Sequence, residues 1–387
     1  MPSTQFDIII AGTGLAGLAL ALELARRPAF RDRRVLLLDR DRKQKNDRTW
    51  CFWATDDEPL PPVVFKTWDK CLFFGEKIER PLNIGPYRYR MVRGLDFYEH
   101  AKTVLAARPN FEWLTTEIEQ IEAETGTVRT AAGAFSATWV FSSIVEVAPP
   151  QGEEWSAALL QHFKGWLIET PDPVFDPSAM TFMDFRVAQH RDTRFVYVLP
   201  FDERRALVEF TVFSPALLAP DEYDSELTNY LHNFLKISDF KIEDTEFGVI
   251  PMTDHPFRPR RDGRLVRIGT AAGFVKGSSG YAFKRTLRKV RQLVDDWEKT
   301  GQPSPEKVRS AWRFRLYDSI FLRVFADHFC PPKRVFSHLF RGQAAHRVFR
   351  FLDEDTTFAE EPRILTAAPF WPFVRAFFRQ LPVFRRI

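Results

Sequence analysis

Three glycines near the start of the chain have the spacing of a diphosphate-binding turn. Gly12, Gly14 and Gly17 follow the apolar run Ile8 to Ala11 and open an apolar helical stretch. In such a turn the first glycine allows a tight bend, the second lets backbone approach a pyrophosphate, and the third lets the helix pack on the strand. The pyrophosphate then lies at the helix N-terminus. The spacing therefore predicts a dinucleotide site.

An acidic residue completes this unit at the end of the next apolar run. Asp39 follows Val35 to Leu38, in the place where a carboxylate accepts hydrogen bonds from ribose hydroxyls, and Arg40 beside it is a second candidate. A glycine-rich turn in another βαβ unit is the alternative. The motif does not separate NAD from FAD, but a site on the first strand of a long chain favours FAD, enclosed by its own protein.

A second cluster of small residues follows a short apolar run far along the chain. In flavoproteins of the hydroxylase type the chain returns at such a point, and helix N-terminal amides hold the ribityl phosphate and the isoalloxazine edge. Those proteins usually have Asp after the first glycine, so Thr270 argues against an ordinary aromatic hydroxylase. The candidates are Gly269, Thr270, Ala271, Gly273, Ser279 and Gly280, with Arg48 and Arg93 also placed near the flavin unless they form surface salt bridges.

Composition narrows the class of protein. The 387 residues are 45% hydrophobic and 27% charged, which is typical of a globular protein and long enough for two domains. The 38 Phe and 10 Trp predict ring-lined pockets for large apolar substrates, with Phe as ordinary core filling as the alternative. A net charge of +4 is too small for a nucleic-acid-binding protein.

Cysteine and histidine usage and the N-terminal residues predict the compartment. Cys51, Cys71 and Cys330 form no CxxC pair, and no histidine has metal-ligand spacing, so we expect neither a disulfide framework nor a metal site. The start of the chain lacks a basic segment, and 8–22 is too short and glycine-interrupted to span a membrane. We expect a cytoplasmic protein.

The order of predicted elements gives the fold class. A βαβ unit comes first, strands such as 194–200 and 205–212 with a turn at 202–203 fill the middle, and helices follow 282. This order predicts an α/β protein with a Rossmann-like FAD-binding domain of the flavin hydroxylase type, a mainly antiparallel β-sheet substrate domain and a helical C-terminal region. The predicted ranges are 1–150 with 245–300 for the FAD-binding domain, 151–244 for the substrate domain and 301–387 for the helical region.

The end of the chain predicts an amphipathic helix at a membrane surface. Apolar residues recur at helical spacing and Arg375 and Arg379 fall opposite, so the rings can enter acyl chains while the arginines meet anionic headgroups. A terminal helix packed on the core is the equal alternative, and Pro372 and Pro382 predict a short helix either way. We expect peripheral association with the inner face of the cell membrane. The apolar residues are Phe370, Phe373, Val374, Phe377, Phe378, Leu381 and Phe384.

Several longer stretches resemble the bacterial lycopene β-cyclase family, flavin-dependent enzymes that form carotenoid rings. The resemblance spans nearly the whole chain, although Ala272 and Gly277 stand where the family usually has glycine and proline. We still expect the chain to bind flavin, and the two differences bear more on the identity of the substrate. The matching stretches are 7–17, 46–53, 183–186, 208–211, 250–254, 269–283 and 351–354.

The resemblance implies a cyclisation without net oxidation. An acid protonates a terminal double bond of linear lycopene, the next double bond captures the cation, and loss of a proton closes a β-ring, which leads to γ-carotene and β-carotene. Reduced FAD would stabilise the cation without being consumed, and NAD(P)H would only reduce the flavin. The family's acid corresponds to Glu209. A carboxyl flanked by Val208 and Phe210 would stay protonated through desolvation, with a surface glutamate as the alternative.

Further candidates and other functions stay open at this point. Asp184 and Asp254 are candidates for orienting the acid or the substrate, with helix caps or turns as the alternative. A FAD-dependent monooxygenase or reductase acting on an apolar polyene or terpenoid is the second function, and a non-catalytic flavoprotein docked on a membrane is the third. Rings that could face the cation, or simply pack in the core, are Trp50, Phe52, Trp53 and Tyr281.

Overall fold

The computed structural model describes residues 4–145 and 158–384, the last three by their backbone alone. The strands are β1 (Gln5–Ala11), β2 (Val35–Asp39), β3 (Thr49–Ala54), β4 (Lys66–Trp68), β5 (Lys70–Gly75), β6 (Ile78–Leu82), β7 (Arg88–Arg93), β8 (Phe111–Thr115), β9 (Ile118–Glu122), β10 (Thr127–Thr130), β11 (Gly133–Ser142), β12 (Ala158–Glu169), β13 (Ala179–Asp184), β14 (Thr193–Pro200), β15 (Arg205–Ser214), β16 (Lys241–Thr253), β17 (Arg261–Asp262) and β18 (Leu265–Arg267). The helices are α1 (Leu15–Arg26), α2 (Gly94–Ala106), α3 (Pro220–Tyr230), α4 (Phe283–Thr300), α5 (Trp312–Ala326), α6 (Pro332–Gly342), α7 (Ala345–Leu352), α8 (Glu361–Leu365) and α9 (Phe370–Phe384).

An eight-stranded sheet is built around the N-terminal βαβ unit. Strands β18, β11, β1, β2 and β8 are neighbours in parallel, and β9, β10 and β17 extend the sheet by antiparallel pairing. Because both faces of a parallel sheet are covered, β1 and β2 are apolar along most of their length. Helices α1, α2 and α4 share a hydrophobic core with this sheet. The predicted Rossmann-like unit is confirmed.

A seven-stranded sheet forms the second layer, in the order β16, β12, β15, β14, β13, β5, β6. All neighbouring pairs are antiparallel except β13 with β5, so the mainly antiparallel sheet is confirmed. Its strands do not all come from 151–244, because β5 and β6 lie earlier in the chain and β16 runs to Thr253. The predicted boundary between 150 and 151 lies outside the described residues.

The two faces of this second sheet carry different helices. Val208, Phe210 and Val212 of β15 pack on one face with α3. Leu207 and Phe213, on the other face, join a core built from α5, α6, α7 and α9. Since successive side chains of a strand alternate between faces, Glu209 also points toward the C-terminal helices. A three-stranded sheet, β3–β7–β4, contributes Trp53 and Tyr89 to the same core.

The C-terminal helix α9 is longer than its prolines predict. It begins at Phe370 and continues two residues beyond Pro382, while Pro372 occupies the first turn, where an amide lacks an intrahelical acceptor anyway. Ala376 and Gln380 are fully buried on its inner side. The side chains of Pro382 and Phe384 lie outside the described residues. Across the two described ranges, no helix is both long enough and apolar enough to cross a membrane.

Candidate active site

The two glycine clusters meet at the carboxyl end of β1. Gly12 turns the chain with φ +94°, and a Cβ on Gly17 would lie 2.0 Å from the Gly12 carbonyl oxygen, so α1 starts against the turn only because Gly17 has no side chain. Gly269, with φ +64°, opens the second cluster, and a Cβ there would lie 3.0 Å from that of Ala16. The predicted clusters therefore form one cradle.

The cradle has the properties of an anion site. A Cβ on Gly14 would meet nothing within 4 Å, so the backbone here faces open space. Helix α1 starts with no side-chain cap and no acidic residue in its first turn, which leaves its amide groups for an anion. Ser279 Oγ is buried without a hydrogen-bond partner among the described residues. These features fit the diphosphate and a polar ring edge of FAD.

Asp39, the predicted ribose-binding carboxylate, lies beside the cradle. Its Oδ2 accepts hydrogen bonds from the Thr13 amide, at 2.6 Å, and from Thr13 Oγ1, at 3.0 Å. These bonds hold the carboxylate at the turn. Arg40 is exposed and its Nη1 lies 3.8 Å from Glu117 Oε1, and among the described residues no ion pair or side-chain hydrogen bond joins Arg40 to the cradle.

The two predicted arginines have different surroundings. Arg93 donates to both oxygens of Asp96 at 2.7 and 2.8 Å and its guanidinium lies 4.0 Å from the centre of the Phe65 ring. For this residue the structure shows the salt-bridge alternative. Arg48 is exposed, and its carbonyl oxygen accepts a hydrogen bond from the Gly94 amide at 2.7 Å.

The second cluster leads from the cradle to a cavity. Thr270 and Ala271 lie in a short 3-10 turn that Gly273 ends with φ +67°, where a Cβ would lie 2.6 Å from the Phe257 carbonyl oxygen. Ser279 and Gly280 then line the cavity. The small residues of 269–280 thus connect the predicted nucleotide site with the interior of the second core.

The cavity has a volume of about 480 Å³ and is bounded by the seven-stranded sheet and the C-terminal helices. Among the described residues that line it, Leu365, Thr366 and Phe370 are exposed. The mouth therefore lies at α8 and α9. Aromatic residues that line the cavity include Trp50, Phe163, Phe213, Phe321, Phe336 and Phe377.

Among the described residues, two carboxyl groups line this cavity, and their surroundings differ. Asp318 lies 2.7 Å from Lys276 Nζ and accepts a hydrogen bond from Ser278, also at 2.7 Å. Glu209 forms no ion pair in the described part of the chain, and its Oε1 accepts a hydrogen bond from Thr211 Oγ1 at 2.8 Å. Burial raises the pKa of Glu209 well above its usual range, and the neighbouring Glu246 carboxyl raises it further. A carboxyl kept protonated at neutral pH can act as a general acid.

The predicted aromatic candidates divide between cavity and core. Trp50 and Tyr281 line the cavity with Glu209. Phe52 is buried and stacks on Phe283 at 5.0 Å between ring centres. Trp53 stacks on Phe349 at 4.3 Å and lies against Tyr281 at 4.7 Å. Phe52 and Trp53 therefore support the site by packing.

Asp184 does not reach the cavity. It is fully buried, and its carboxylate accepts hydrogen bonds from Arg186 Nε, at 2.9 and 3.0 Å, and from the Tyr230 hydroxyl, at 2.7 Å. Its Oδ1 also accepts from the Arg186 amide in a turn. This arrangement corresponds to the turn alternative.

Asp254 likewise serves packing between elements. Its Oδ2 accepts hydrogen bonds from Ser319 Oγ of α5, at 2.6 Å, and from Gln380 Nε2 of α9, at 2.8 Å. It follows β16 directly and is not among the cavity-lining residues. Asp254 thus joins the end of the sheet to the two helices.

Glu246 is the functional candidate that sequence reasoning missed. It stands in an acidic stretch, 243–246, that is typical of a solvent-exposed strand, so its residue type carried no signal. Its position next to Glu209 depends on the register of three strands, of which only β15 is local to Glu209. The one sequence signal for this pairing was Gly165, a glycine inside a strand. It lies on β12, between Glu209 on one neighbouring strand and Glu246 on the other.

Solved structures with the same fold include flavin-dependent enzymes. A geranylgeranyl bacteriochlorophyll reductase-like protein from Thermoplasma acidophilum covers 98% of this chain and 97% of its own, with a TM-score of 0.62 and 13% identity. The flavin-dependent brominase Bmp2 covers 99% and 100%, with a TM-score of 0.56 and 13% identity. At these identities the likeness shows the fold alone, and it confirms the flavin hydroxylase type.

Sequence relatives agree with the family expectation. The lycopene beta-cyclase of Paracoccus sp. (strain N81106 / MBIC 01143) is 27% identical over 94% of both chains. The chloroplastic lycopene beta cyclase of Arabidopsis thaliana is 25% identical over 79% of this chain and 63% of its own. The family model described as lycopene cyclase protein matches residues 7–378. The chain belongs to the lycopene cyclase family.

Proposed function

We propose that this protein is a lycopene β-cyclase that closes the linear ψ-ends of lycopene to β-ionone rings, with reduced FAD as a non-redox cofactor. The observation that carries the proposal is Glu209, a carboxyl with a raised pKa and no ion pair among the described residues, facing a cavity lined by rings. A hydrocarbon offers no hydrogen-bonding group, so only apolar contact and a placed acid can select and activate it. The name of the Paracoccus relative supports the same substrate class.

The reaction follows from the positions of the chain's own groups. The Glu209 O–H bond breaks as its proton joins the terminal double bond, and the next double bond attacks the resulting cation to close the ring. Loss of a ring proton, which returns to the Glu209 carboxylate, forms the new double bond and restores the acid, so the product is an isomer of the substrate. The faces of Trp50 and Tyr281, which share the cavity, stabilise positive charge through their quadrupoles.

The cradle residues would hold the cofactor in this proposal. The α1 amides and Gly14 would bind the diphosphate, Asp39 the ribose, and the 269–280 segment the ring system. Bound reduced FAD would supply negative charge close to the developing cation. NAD(P)H would serve as the source of electrons that keeps the flavin reduced.

The first experiment counts rings formed per electron consumed. The purified protein is incubated without oxygen, with lycopene in liposomes and pre-reduced FAD. We expect many rings with no net loss of electrons. A product that appears only with oxygen and in proportion to NAD(P)H would instead establish the monooxygenase alternative.

Glu209→Gln tests the acid directly. The amide keeps the shape of the side chain but has no acidic proton, so we expect ring formation to fall by about 10³-fold or more. Flavin absorbance reports whether FAD is still bound, and Glu243→Gln, an exposed position on β16, is the control. Cyclisation at the wild-type rate in a Glu209→Gln protein that retains FAD would rule out this role.

We also propose peripheral membrane association, on the cytoplasmic side, through the outer face of α9. Phe370, Trp371 and Phe378 are 63%, 76% and 64% exposed, and Leu381 is partly exposed beside them. Rings at this density on a surface are typical of an interaction site. Since Phe370 also lines the cavity mouth, a docked protein would present that mouth to lipid.

A further inference from the structure

Glu209 and Glu246 are both cross-strand partners of one glycine. Gly165 lies on β12, the strand between β15 and β16, and pairs with Glu209 of β15 on one side and with Glu246 of β16 on the other. Residues directly opposite each other in a sheet point to the same face, so both carboxyl groups stand on the cavity face. A Cβ on Gly165 would lie 3.0 Å from Glu246 Cγ and 3.2 Å from its Oε1. The Glu246 side chain therefore lies across Gly165, toward Glu209.

The hydrogen bonds around the pair leave a buried oxygen of Glu246 without a donor among the described residues. Thr49 Oγ1 donates to Glu246 Oε2 at 2.7 Å, and Thr211 Oγ1 donates to Glu209 Oε1 at 2.8 Å. Glu246 Oε1 is buried and receives no hydrogen bond from an N–H or hydroxyl group of the described residues. Leaving a buried carboxylate oxygen unpaired is costly. A proton held by the adjacent Glu209 carboxyl would supply a donor to this oxygen.

We propose that Glu246 is the positioning residue of the acid: it shares one proton with Glu209 and keeps that carboxyl protonated between turnovers. This inference rests on the proposed function. Two adjacent carboxylates cannot both ionise easily, so the negative charge of Glu246 favours the proton on Glu209. After Glu209 has protonated the substrate, the same repulsion draws the proton that the ring loses back to the pair. The cycle ends with the proton count unchanged.

Groups on the other packed elements do not replace Glu246 in this role. Burial raises the pKa of the Cys51 thiol and of the Tyr197 hydroxyl well above their usual ranges, so both are neutral at pH 7. Burial likewise raises the pKa values of Tyr89 and Tyr281. Among the described residues that line the cavity, the other charged groups are Lys276 and Asp318, which pair with each other, and Asp244 adds negative charge near Glu246.

Infrared titration tests the shared proton without any need for turnover. The infrared C=O band of protonated carboxyl groups is followed against pH in the FAD-loaded protein. The part of the band that is missing from the Glu209→Gln variant is assigned to Glu209. We expect the wild-type band to persist through pH 7. In Glu246→Gln, loss of the neighbouring charge lowers the midpoint by about one pH unit, tenfold in proton affinity. Glu246→Asp keeps the charge and gives a midpoint nearer to wild type, and Glu243→Gln leaves it unchanged.

The pH dependence of cyclisation gives the second readout. Activity requires protonated Glu209 and is lost as pH rises through its pKa, so Glu246→Gln shifts this alkaline limb to lower pH by the same interval. A wild-type protein with no protonated carboxyl at pH 7, or a Glu246→Gln midpoint equal to that of wild type, would overturn the inference. If no rings form but the infrared midpoints shift as expected, the cyclase function is refuted and the shared proton remains established.

Discussion

At the scale of single residues, the partners of each carboxyl separate chemistry from support. Asp318 has a lysine, and Asp184 has an arginine and a tyrosine hydroxyl. Glu209 has a threonine and another carboxyl instead, with cavity in front of it. An acid that must give up a proton to a hydrocarbon benefits from this lack of a counter-ion, because a cation would hold it ionised.

Asp184→Asn is expected to weaken the fold without changing the chemistry. It removes the charge that faces Arg186 and leaves a partly buried guanidinium unpaired, so the free energy of unfolding should fall by about 2–4 kcal/mol. Denaturant unfolding measures the loss. Ring formation per folded molecule should remain at the wild-type rate, and a selective drop in that rate would restore Asp184 as a catalytic candidate.

Which site residues sequence could supply depends on how local their signals are. Gly12, Gly14, Gly17 and Asp39 form one continuous motif, so the cradle was predictable. Glu209 could be predicted mainly through the family resemblance, because one acid in an apolar strand is common. Its partner Glu246 comes from a strand separated by α3, and no local pattern specifies that register.

At the scale of elements, pairing between strands that are close in sequence could be predicted, and pairing between distant strands could not. The hairpin of β14 and β15 was predicted because its two strands are close in sequence and its turn is polar. The addition of β5 and β6 to the same sheet was not, because it depends on the parallel pairing of β13 with β5, about a hundred residues apart. The residue pattern of each segment predicts a strand, but it does not indicate which distant strand pairs with it.

The Gly14→Ala variant tests whether the cradle binds the diphosphate of FAD. Gly14 has an extended backbone, φ −77°, that alanine adopts, and its Cβ would point into open space, so the apoprotein should keep its Tm. If the diphosphate fills that space, the Kd for FAD rises about tenfold or more. Fluorescence titration with FAD measures it.

Gly12→Ala is the contrasting variant for this test. At Gly12 φ is +94° and a Cβ would lie 2.4 Å from Ser143 Oγ, so the apoprotein itself should lose stability. Unchanged FAD affinity in Gly14→Ala would place the diphosphate elsewhere.

At the scale of the whole molecule, the sequence left open whether the C-terminal helix packs on the core or lies at a surface, and α9 has a buried inner side as well as an exposed apolar outer side. Its inner side, with Ala376 and Gln380, is buried against the core. Its outer side exposes large rings together with Arg375 and Arg379, so rings and arginines are not on opposite faces as the periodicity predicts. Arg379 pairs with Asp327, and Arg375 lies over the Phe329 ring. The exposed rings are therefore the main apolar surface that the outer side of α9 offers.

Flotation with vesicles tests the outer face of α9. A triple variant, Phe370→Ser, Trp371→Ser and Phe378→Ser, removes three exposed rings at little expected cost in stability, and its binding to vesicles with anionic lipid should fall about tenfold or more. Trp113→Ser, which changes an exposed ring on β8 in the other sheet, is the control. Equal flotation of all three proteins would remove α9 from membrane binding.

The position of the cavity mouth also bears on the order of products. Its exposed lining, within the described residues, lies at α8 and α9, while the acid stands on the sheet that closes the cavity. Under the proposed function, a linear chain inserts one terminus and keeps the other outside. The enzyme is then distributive: the half-cyclised molecule must withdraw, reverse and insert again, so its two ends compete with fresh substrate for the same acid.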